Sequence, residues 1–242
     1  MQKIVVAVSG WKGSGKDTVA EYLVKEHGYF RLAFADILKE MVAEQYNIPV
    51  DWCHDTALKE KPLTKYPVES KDKFGELIHN FMVKEFRSVD DEVPLSIWVD
   101  GEGETYGEIK NPDDEIEQYK RVYWTPRALC ILEGSIKRSV NSSYWVQRVV
   151  DYIEKFTASS DYPRFVISDM RYRSEVNQLR EAFNNNLITC RVNRFSDCPS
   201  VDPSERDLDE FKLDYSIDNR GTLNELQLGV DDLVAMAEMS VF

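Results

Sequence analysis

The sequence contains few of the side chains on which disulfide frameworks and structural metal sites depend. Its 242 residues include four cysteines and three histidines, and no two cysteines form a CxxC pair. Their spacing matches no zinc-ligand pattern. We therefore expect free thiols in a reducing, cytoplasmic compartment, in preference to disulfide bonds or a zinc site.

Long apolar segments and an excess of basic residues are also absent. No apolar run approaches the ~20 residues that a membrane-spanning helix needs, and the run Ile4–Val8 is too short for a signal peptide. The 30 basic residues are outnumbered by 43 acidic ones, which gives a net charge of −13. Because binding along a nucleic-acid backbone needs a basic surface, we expect neither a membrane nor a nucleic-acid polymer as a partner.

The excess of negative charge is concentrated in one segment. Eleven acidic residues and one basic residue lie between Asp90 and Glu117, together with glycines and prolines. This composition predicts a surface insertion with a hairpin around Leu95–Val99 and an acidic loop. A solvated face is the preferred interpretation, and a docking patch for a partner is the alternative.

Apolar periodicity predicts strands that alternate with helices. The predicted strands are Ile4–Val8, Arg31–Ala35, Phe165–Ile167, Leu187–Val192 and Tyr215–Ile217. Helices are predicted at Thr18–Glu26, Asp36–Tyr46, Lys73–Phe86, after Thr125-Pro126, at Ser143–Phe156, around Val176–Phe183 and after the capping-box pair Thr222 and Glu225. This alternation indicates a parallel sheet. Ligands of such sheets bind at the carboxyl ends of the strands, where Ser9-Gly10, Asp36 and Ser168-Asp169 stand.

The strongest motif is the segment Gly10–Thr18, with the sequence GWKGSGKDT. It fits the pattern G-x-x-x-x-G-K and stands between a predicted buried strand and a predicted helix, as a phosphate-binding loop requires. Glycines let the backbone approach a phosphate closely, and successive N–H groups at a helix N-terminus attract anions. We predict a site for the phosphates of a nucleotide, formed by Gly13, Ser14, Gly15, Lys16, Asp17 and Thr18. A glycine-rich turn between strand and helix is the alternative.

Two acidic residues are candidates for a magnesium site. Asp17 stands where Ser or Thr normally binds Mg²⁺ in such loops, so either Asp17 contacts the metal, directly or through water, or Thr18 takes that role. Asp169 ends the predicted strand Phe165–Ile167, in the Walker-B position of a carboxylate near the metal. An ordinary helix-capping turn is the alternative for Asp169. The predicted metal ligands are Asp17, Thr18 and Asp169.

Basic residues near these motifs supply positive charge for a phosphorylated substrate. Arg171 follows Asp169 by two residues, and its planar guanidinium could meet a substrate phosphate. Arg127 and Arg138 stand eleven residues apart, on a similar helix face if the helix continues through Gly134. Surface solvation is the alternative for each of them.

Together these residues resemble the phage-type deoxynucleoside monophosphate kinases, a branch of the P-loop nucleoside monophosphate kinases. The matching stretches run in family order along nearly the whole chain: Gly10–Thr18, Leu32–Lys39, Thr125–Arg127, Gly134-Ser135 with Tyr144–Val146, Asp169–Arg171, Ser204-Glu205 and Asp218–Leu223. The resemblance implies Mg²⁺-dependent transfer of the ATP γ-phosphate to a deoxynucleoside 5′-monophosphate. It also implies a homodimer, and the host cytoplasm as its location if a phage encodes the chain.

The resemblance implies a three-layer α/β fold: a five-stranded parallel sheet in the order 2-3-1-4-5, with helices on both faces and a helical acceptor and lid region. We predict a single P-loop kinase domain over residues 1–242. Within it we place a helical acceptor-binding insertion at 40–88, the acidic insertion at 89–124 and a helical lid or acceptor region at 125–157.

The predicted catalytic residues are Lys16, Asp17, Arg127, Asp169 and Arg171. By resemblance, Lys12, Lys39 and Arg127 contact the substrate monophosphate, and a Gly134-Ser135 turn with Trp145 lines the acceptor pocket. Asp36, Arg138 and Arg171 complete the predicted substrate site. The alternatives are a P-loop kinase for another phosphorylated acceptor, such as dephospho-coenzyme A or a phosphorylated mevalonate, and a non-catalytic nucleotide-binding regulator.

Overall fold

The computed structural model describes residues 3–61, 63, 125–159, 164–196 and 205–239, and the backbone of 96–99, 105–110 and 116–122. The chain divides into two compact units. The first consists of residues 1–37 and 141–242, and the second of residues 38–140.

Eight strands and seven α-helices are described. The strands are β1 (Ile4–Ser9), β2 (Phe30–Leu32), β3 (Ser96–Val99), β4 (Thr105–Lys110), β5 (Ile116–Val122), β6 (Arg164–Ile167), β7 (Leu187–Asn193) and β8 (Tyr215–Asp218). The helices are α1 (Lys16–His27), α2 (Phe34–Gln45), α3 (Val50–His54), α4 (Pro126–Val140), α5 (Tyr144–Ser159), α6 (Arg173–Phe183) and α7 (Leu223–Met239). Single 3₁₀ turns occupy Leu58–Glu60 and Asn184–Asn186.

A five-stranded sheet forms the centre of the first unit. Its strands lie in the order β2-β6-β1-β7-β8, and every neighbouring pair is parallel. Counted along the chain, these five strands have the order 2-3-1-4-5. The predicted fold class and strand order are therefore confirmed, and the carboxyl ends of all five strands lie along one edge of the sheet.

Strand β1 is buried on both faces, which explains its continuous apolar sequence. Ile4, Val6 and Val8 belong to a core cluster with residues of α1 and α7. Val5 and Ala7 point to the opposite face, because side chains alternate along a strand. There Phe165, in register with Val5, packs among the rings of Phe30 and Phe156.

The second unit combines helices with a small antiparallel sheet. Its helical core contains Val42 of α2, Cys53 of α3, and Leu129 and Leu132 of α4. Strands β3, β4 and β5 form an antiparallel sheet with β4 in the middle. The hairpin expected around Leu95–Val99 corresponds to β3 and β4, and β5 extends it to three strands.

Three local predictions differ from the structure or lie outside it. Strand β2 ends at Leu32 and α2 begins at Phe34, because backbone N–H groups at this helix end are capped by Asp169. The prediction of a turn at Gly134-Ser135 was wrong, because both residues lie within α4, which runs unbroken from Pro126 to Val140. The helix predicted at Lys73–Phe86 lies outside the described residues.

Packing explains the glycine within α4. A Cβ atom at position 134 would lie 3.2 Å from Cδ2 of Leu38, so Gly134 allows α2 and α4 to approach closely and does not mark a chain reversal. Within the described part of the chain, no helix combines the length and the hydropathy needed to cross a membrane.

Candidate nucleotide-binding site

The loop between β1 and α1 has the geometry of a phosphate-binding loop. Gly10, Gly13 and Gly15 adopt φ values of +150°, +78° and +99°. A Cβ atom at Gly15 would lie 2.3 Å from Nδ2 of Asn219, and one at Gly10 would lie 2.7 Å from the carbonyl oxygen of Val192. The backbone conformation therefore favours glycine at all three positions, and close neighbours also disfavour a Cβ at Gly10 and Gly15.

Lys16 is the first residue of α1, and its side chain folds over this loop. It is buried, and its Nζ donates a hydrogen bond of 3.3 Å to the carbonyl oxygen of Trp11. The same end of the loop is closed by a 3.0 Å bond from the N–H of Ser14 to the Trp11 carbonyl. An ammonium group and a helix N-terminus thus stand together, an arrangement that favours a bound anion.

Asp17 and Asp36 are brought together by an arginine that the sequence analysis did not single out. Arg31, on β2, lies 3.8 Å from a carboxylate oxygen of Asp17 and 3.3 Å from one of Asp36. The side chain of Asp17 is 72% exposed, and Thr18 beside it is exposed as well. Two carboxylates therefore flank one guanidinium at the carboxyl end of β2.

Asp169 caps the N-terminus of α2. Its two carboxylate oxygens accept the backbone N–H groups of Phe34 and Ala35 at 2.8 and 2.9 Å. Burial raises the pKa of Asp169, and these two hydrogen bonds oppose the rise. Asp169 therefore has a structural role as a helix cap. It caps α2, and not α6, which is the helix that follows it along the chain. Its contact with a metal stays a prediction.

Lys12 and Arg171 are linked through Glu205. One oxygen of Glu205 accepts the backbone N–H of Lys12 at 2.6 Å, and the other pairs with Nη1 of Arg171 at 2.7 Å. The Glu205 side chain is only 6% exposed. From the sequence, Glu205 was named only as part of a matching stretch. Its place in the β7–β8 connection, beyond the carboxyl end of β7, was the available signal.

A cavity of about 390 Å³ opens beside the phosphate loop. It is lined by Gly15, Thr18, Arg194, Phe195, Asn219, Arg220, Gly221, Leu223 and Leu226. The partly exposed ring of Phe195 offers an aromatic face, and the guanidinium of Arg194 lies 5.9 Å from its centroid. The volume lies in the range of small-molecule pockets. Gly15 and Thr18 were among the predicted nucleotide-binding residues, and Asn219, Arg220, Gly221 and Leu223 belonged to a matching stretch. Arg194 and Phe195, which directly follow β7, were not singled out from the sequence.

The remaining predicted residues have the following positions. In the second unit, Nζ of Lys39 lies 3.4 Å from Nδ1 of His54, and Arg127 pairs with Glu60 at 2.7 Å. Arg138 is half-buried in the last turn of α4, and Ser135 lies in the middle of that helix. In the first unit, Trp145 is buried, and its ring meets that of Tyr144 edge-on. Their roles toward a substrate stay predictions.

Comparison with known sequences assigns the family. Residues 3–230 match the family model described as deoxynucleotide monophosphate kinase, which is nearly the whole chain. The chain belongs to the deoxynucleotide monophosphate kinase family. The predicted resemblance is therefore confirmed, and the chain is an ATP-dependent kinase of the nucleotide kinase class.

Individual relatives are distant. The deoxynucleotide monophosphate kinase of Enterobacteria phage T4 is 24% identical over 243 residues, covering 92% of this chain and 95% of the relative. Among solved structures, TT1252 from Thermus thermophilus matches with a TM-score of 0.40 and 14% identity, covering 98% of each chain. A gluconokinase from Sinorhizobium meliloti 1021 matches with a TM-score of 0.38 and 14% identity, covering 98% of this chain and 97% of that one.

Proposed function

We propose that this kinase transfers the γ-phosphate of ATP to a deoxynucleoside 5′-monophosphate, with Mg²⁺, to give the deoxynucleoside diphosphate and ADP. The observation that carries the proposal is the phosphate loop itself. Its glycines have positive φ and its lysine folds over the loop, directly beside a cavity of about 390 Å³. The family of the chain supports the choice of acceptor.

The donor nucleotide is proposed to occupy the loop and the cavity together. Backbone N–H groups of Gly13–Lys16 and the ammonium of Lys16 would hold the phosphates. The base would enter the cavity, where Phe195 supplies a ring for stacking and Asn219 and Arg220 supply polar groups. The cavity and the loop share Gly15, so one nucleotide can engage both.

Transfer would depend on position and charge and would form no covalent intermediate. Lys16 and Arg171 supply positive charge for the oxygens of the moving phosphoryl group. Arg127 of the second unit is proposed to bind the acceptor phosphate together with Lys39. The present partner of Arg127 is the carboxylate of Glu60, an anion that a phosphate could replace because the pair is exposed.

The residues at the phosphate loop fit a magnesium ion carried in with the nucleotide. Magnesium prefers oxygen ligands and usually combines one or two carboxylates with phosphate oxygens and waters. Asp17 and Asp36 offer two carboxylates around Arg31, with the hydroxyl of Thr18 nearby in sequence. In the described part of the chain, no cluster of three His, Cys, Asp or Glu forms a metal site. When bound, the ion would neutralise charge on the phosphates.

The test is an ADP-release assay with ATP, Mg²⁺ and a panel of deoxy- and ribonucleoside monophosphates. We expect ADP release that depends on at least one deoxynucleoside monophosphate and is abolished in Lys16→Met. Transfer to dephospho-coenzyme A or a phosphorylated mevalonate, and to no nucleotide, would refute the proposed acceptor. Binding of ATP with no transfer to any acceptor would indicate a regulator.

The homodimer implied by the resemblance belongs to the same proposal. Light scattering coupled to size-exclusion chromatography should give twice the chain mass of 28.1 kDa. A mass equal to a single chain at working concentration would refute it and would leave the proposed reaction unaffected.

A further inference from the structure

Glu205 is a buried carboxylate that joins two parts of the candidate site. Its side chain is 6% exposed, and each of its oxygens has a different partner. Oε2 accepts the backbone N–H of Lys12 in the phosphate loop at 2.6 Å, and Oε1 pairs with Nη1 of Arg171 at 2.7 Å. A charge-assisted pair in which one partner is buried is held more firmly than an ion pair between two exposed side chains.

A second acid of the same segment holds the neighbouring loop residue. Oδ1 of Asp209 accepts the indole N–H of Trp11 at 2.7 Å and pairs with Arg191 at 2.5 Å. The guanidinium of Arg191 also lies 5.5 Å from the centroid of the Trp11 ring. Glu205 and Asp209, which we call the acidic clamp, therefore hold two consecutive residues of the phosphate loop.

The pairing matters most for Arg171. An arginine side chain has many rotamers, and a guanidinium that is not held in place spends most of its time away from any one geometry. The side chain of Arg171 is 41% exposed, so burial alone does not fix its rotamer. The contact with Glu205 uses the Nη1 group, and a guanidinium carries five N–H donors, so the pair can orient Arg171 while the same side chain binds a phosphate.

We propose that Glu205 is a positioning residue for phosphoryl transfer, which fixes the guanidinium of Arg171 and the Lys12 end of the phosphate loop before substrate arrives. Glu205 acts through Arg171 and does not touch the nucleotide. The inference rests on the proposed function, because Arg171 is assigned there to the moving phosphoryl group.

The test compares Glu205→Gln with the wild type in steady-state kinetics. Glutamine can still accept one hydrogen bond, but it removes the charge that anchors Arg171. We expect kcat to fall about 10- to 100-fold while KM for ATP changes by less than about threefold, the signature of an interaction that matters in the transition state. In an Arg171→Ala background, Glu205→Gln should lower kcat by less than about threefold more, because the positioned group is gone.

Asp207→Asn is the matched control. Asp207 lies on the same segment, and its carboxylate accepts the backbone N–H of Arg173 at 2.7 Å, on α6. Its kcat should stay within about twofold of the wild type. Thermal unfolding of each variant identifies any that fails to fold. If a variant fails to fold, a second measurement is available. Added guanidinium should restore kcat of Arg171→Ala, and this rescue should require the carboxylate of Glu205.

Three results would overturn the role of Glu205. These are a wild-type kcat in folded Glu205→Gln, losses that multiply in the double variant, and guanidinium rescue that survives without Glu205. A wild-type protein that phosphorylates no deoxynucleoside monophosphate would instead refute the proposed function. Glu205 would then be tested on the slow hydrolysis of ATP by water, with the same expected loss of rate.

Discussion

The side-chain amide of Asn219 donates a hydrogen bond of 2.7 Å to the carbonyl oxygen of Ser14. Its backbone N–H donates a second bond of 2.7 Å to the carbonyl of Asn193. Asn219 therefore connects the segment after β8 to the phosphate loop and to the end of β7. Asn219 therefore fixes the wall of the cavity relative to the phosphate loop.

The first prediction concerns that connection. Asn219→Ala should raise KM for ATP about tenfold, because the Ser14 carbonyl loses its partner and a lost hydrogen bond costs about 1–2 kcal/mol. Steady-state kinetics with saturating acceptor measures the change. Asn177→Ala, at an exposed position of α6, is the control and should behave as the wild type. An unchanged KM in folded Asn219→Ala would contradict the prediction.

The second prediction contrasts two glycines with positive φ. Gly15→Ala should lower ATP affinity more than about 100-fold, because φ is +99° and the new Cβ would lie 2.3 Å from Nδ2 of Asn219. Gly28, with φ of +68° and open space around it, gives the control. Gly28→Ala should cost about 1 kcal/mol in unfolding free energy and leave ATP affinity unchanged. Calorimetric titration with ATP and chemical denaturation of both variants make the comparison.

The third prediction concerns Asp169 and pH. Asp169→Asn should lower the free energy of unfolding by about 1–3 kcal/mol, because Phe34 and Ala35 donate to different oxygens of Asp169 and asparagine replaces one of these oxygens by an NH2 group. Burial raises the pKa of Asp169, so its contribution to stability is fully present below the unfolded pKa and declines as pH rises through the folded value. The loss caused by the substitution should therefore be larger near about pH 4 than near neutrality.

Urea denaturation across that pH range measures the effect. Asp151→Asn is the control, since Asp151 is exposed on α5, where it accepts from Gln147. It should change the unfolding free energy by less than about 0.5 kcal/mol at every pH. A destabilisation by Asp169→Asn that grows toward neutral pH would show that the ionised carboxylate is the favoured state.

The fourth prediction concerns a buried carboxylate in the second unit. One oxygen of Glu133 accepts from Nε2 of Gln45 and from the hydroxyl of Tyr46, both at 2.7 Å. Glu133→Ala should lower the free energy of unfolding by about 2–4 kcal/mol, because it leaves two donors unpaired and opens space in the core. Glu133→Gln should lower the free energy of unfolding by less than Glu133→Ala does. Glu44→Ala, at an exposed position of α2, is the control, and equal stabilities in denaturant would refute the role of Glu133.

The fifth prediction concerns thiol reactivity. Burial raises the pKa values of Cys130 and Cys190 to about 12. Only the thiolate reacts, so near pH 8 both should react with iodoacetamide about 1,000-fold more slowly than a free cysteine. Mass spectrometry of a Cys198→Ser variant, alkylated in buffer and in concentrated urea, measures both rates. Fast alkylation in buffer with retained structure would contradict the burial of these thiols.

Local patterns were enough to predict most elements of the first unit. The continuous apolar runs at β1, β6 and β7 are typical of strands buried on both faces. The glycine-rich segment after β1 has the pattern of a phosphate-binding loop. The prediction failed at Gly134-Ser135, because a glycine within a helix and a glycine in a turn look alike in sequence. The close approach of Leu38 distinguishes the two, and it is visible only in the folded chain.

The residues of Gly10–Lys16 by themselves predict a phosphate loop, since the glycine positions, the lysine and the flanking strand and helix are all local. The partners of that loop are a property of the fold. Glu205, Asp209 and Asn219 lie about 200 residues away along the chain. They reach the loop because parallel strands place their carboxyl ends, and the connections that follow them, along one edge of the sheet.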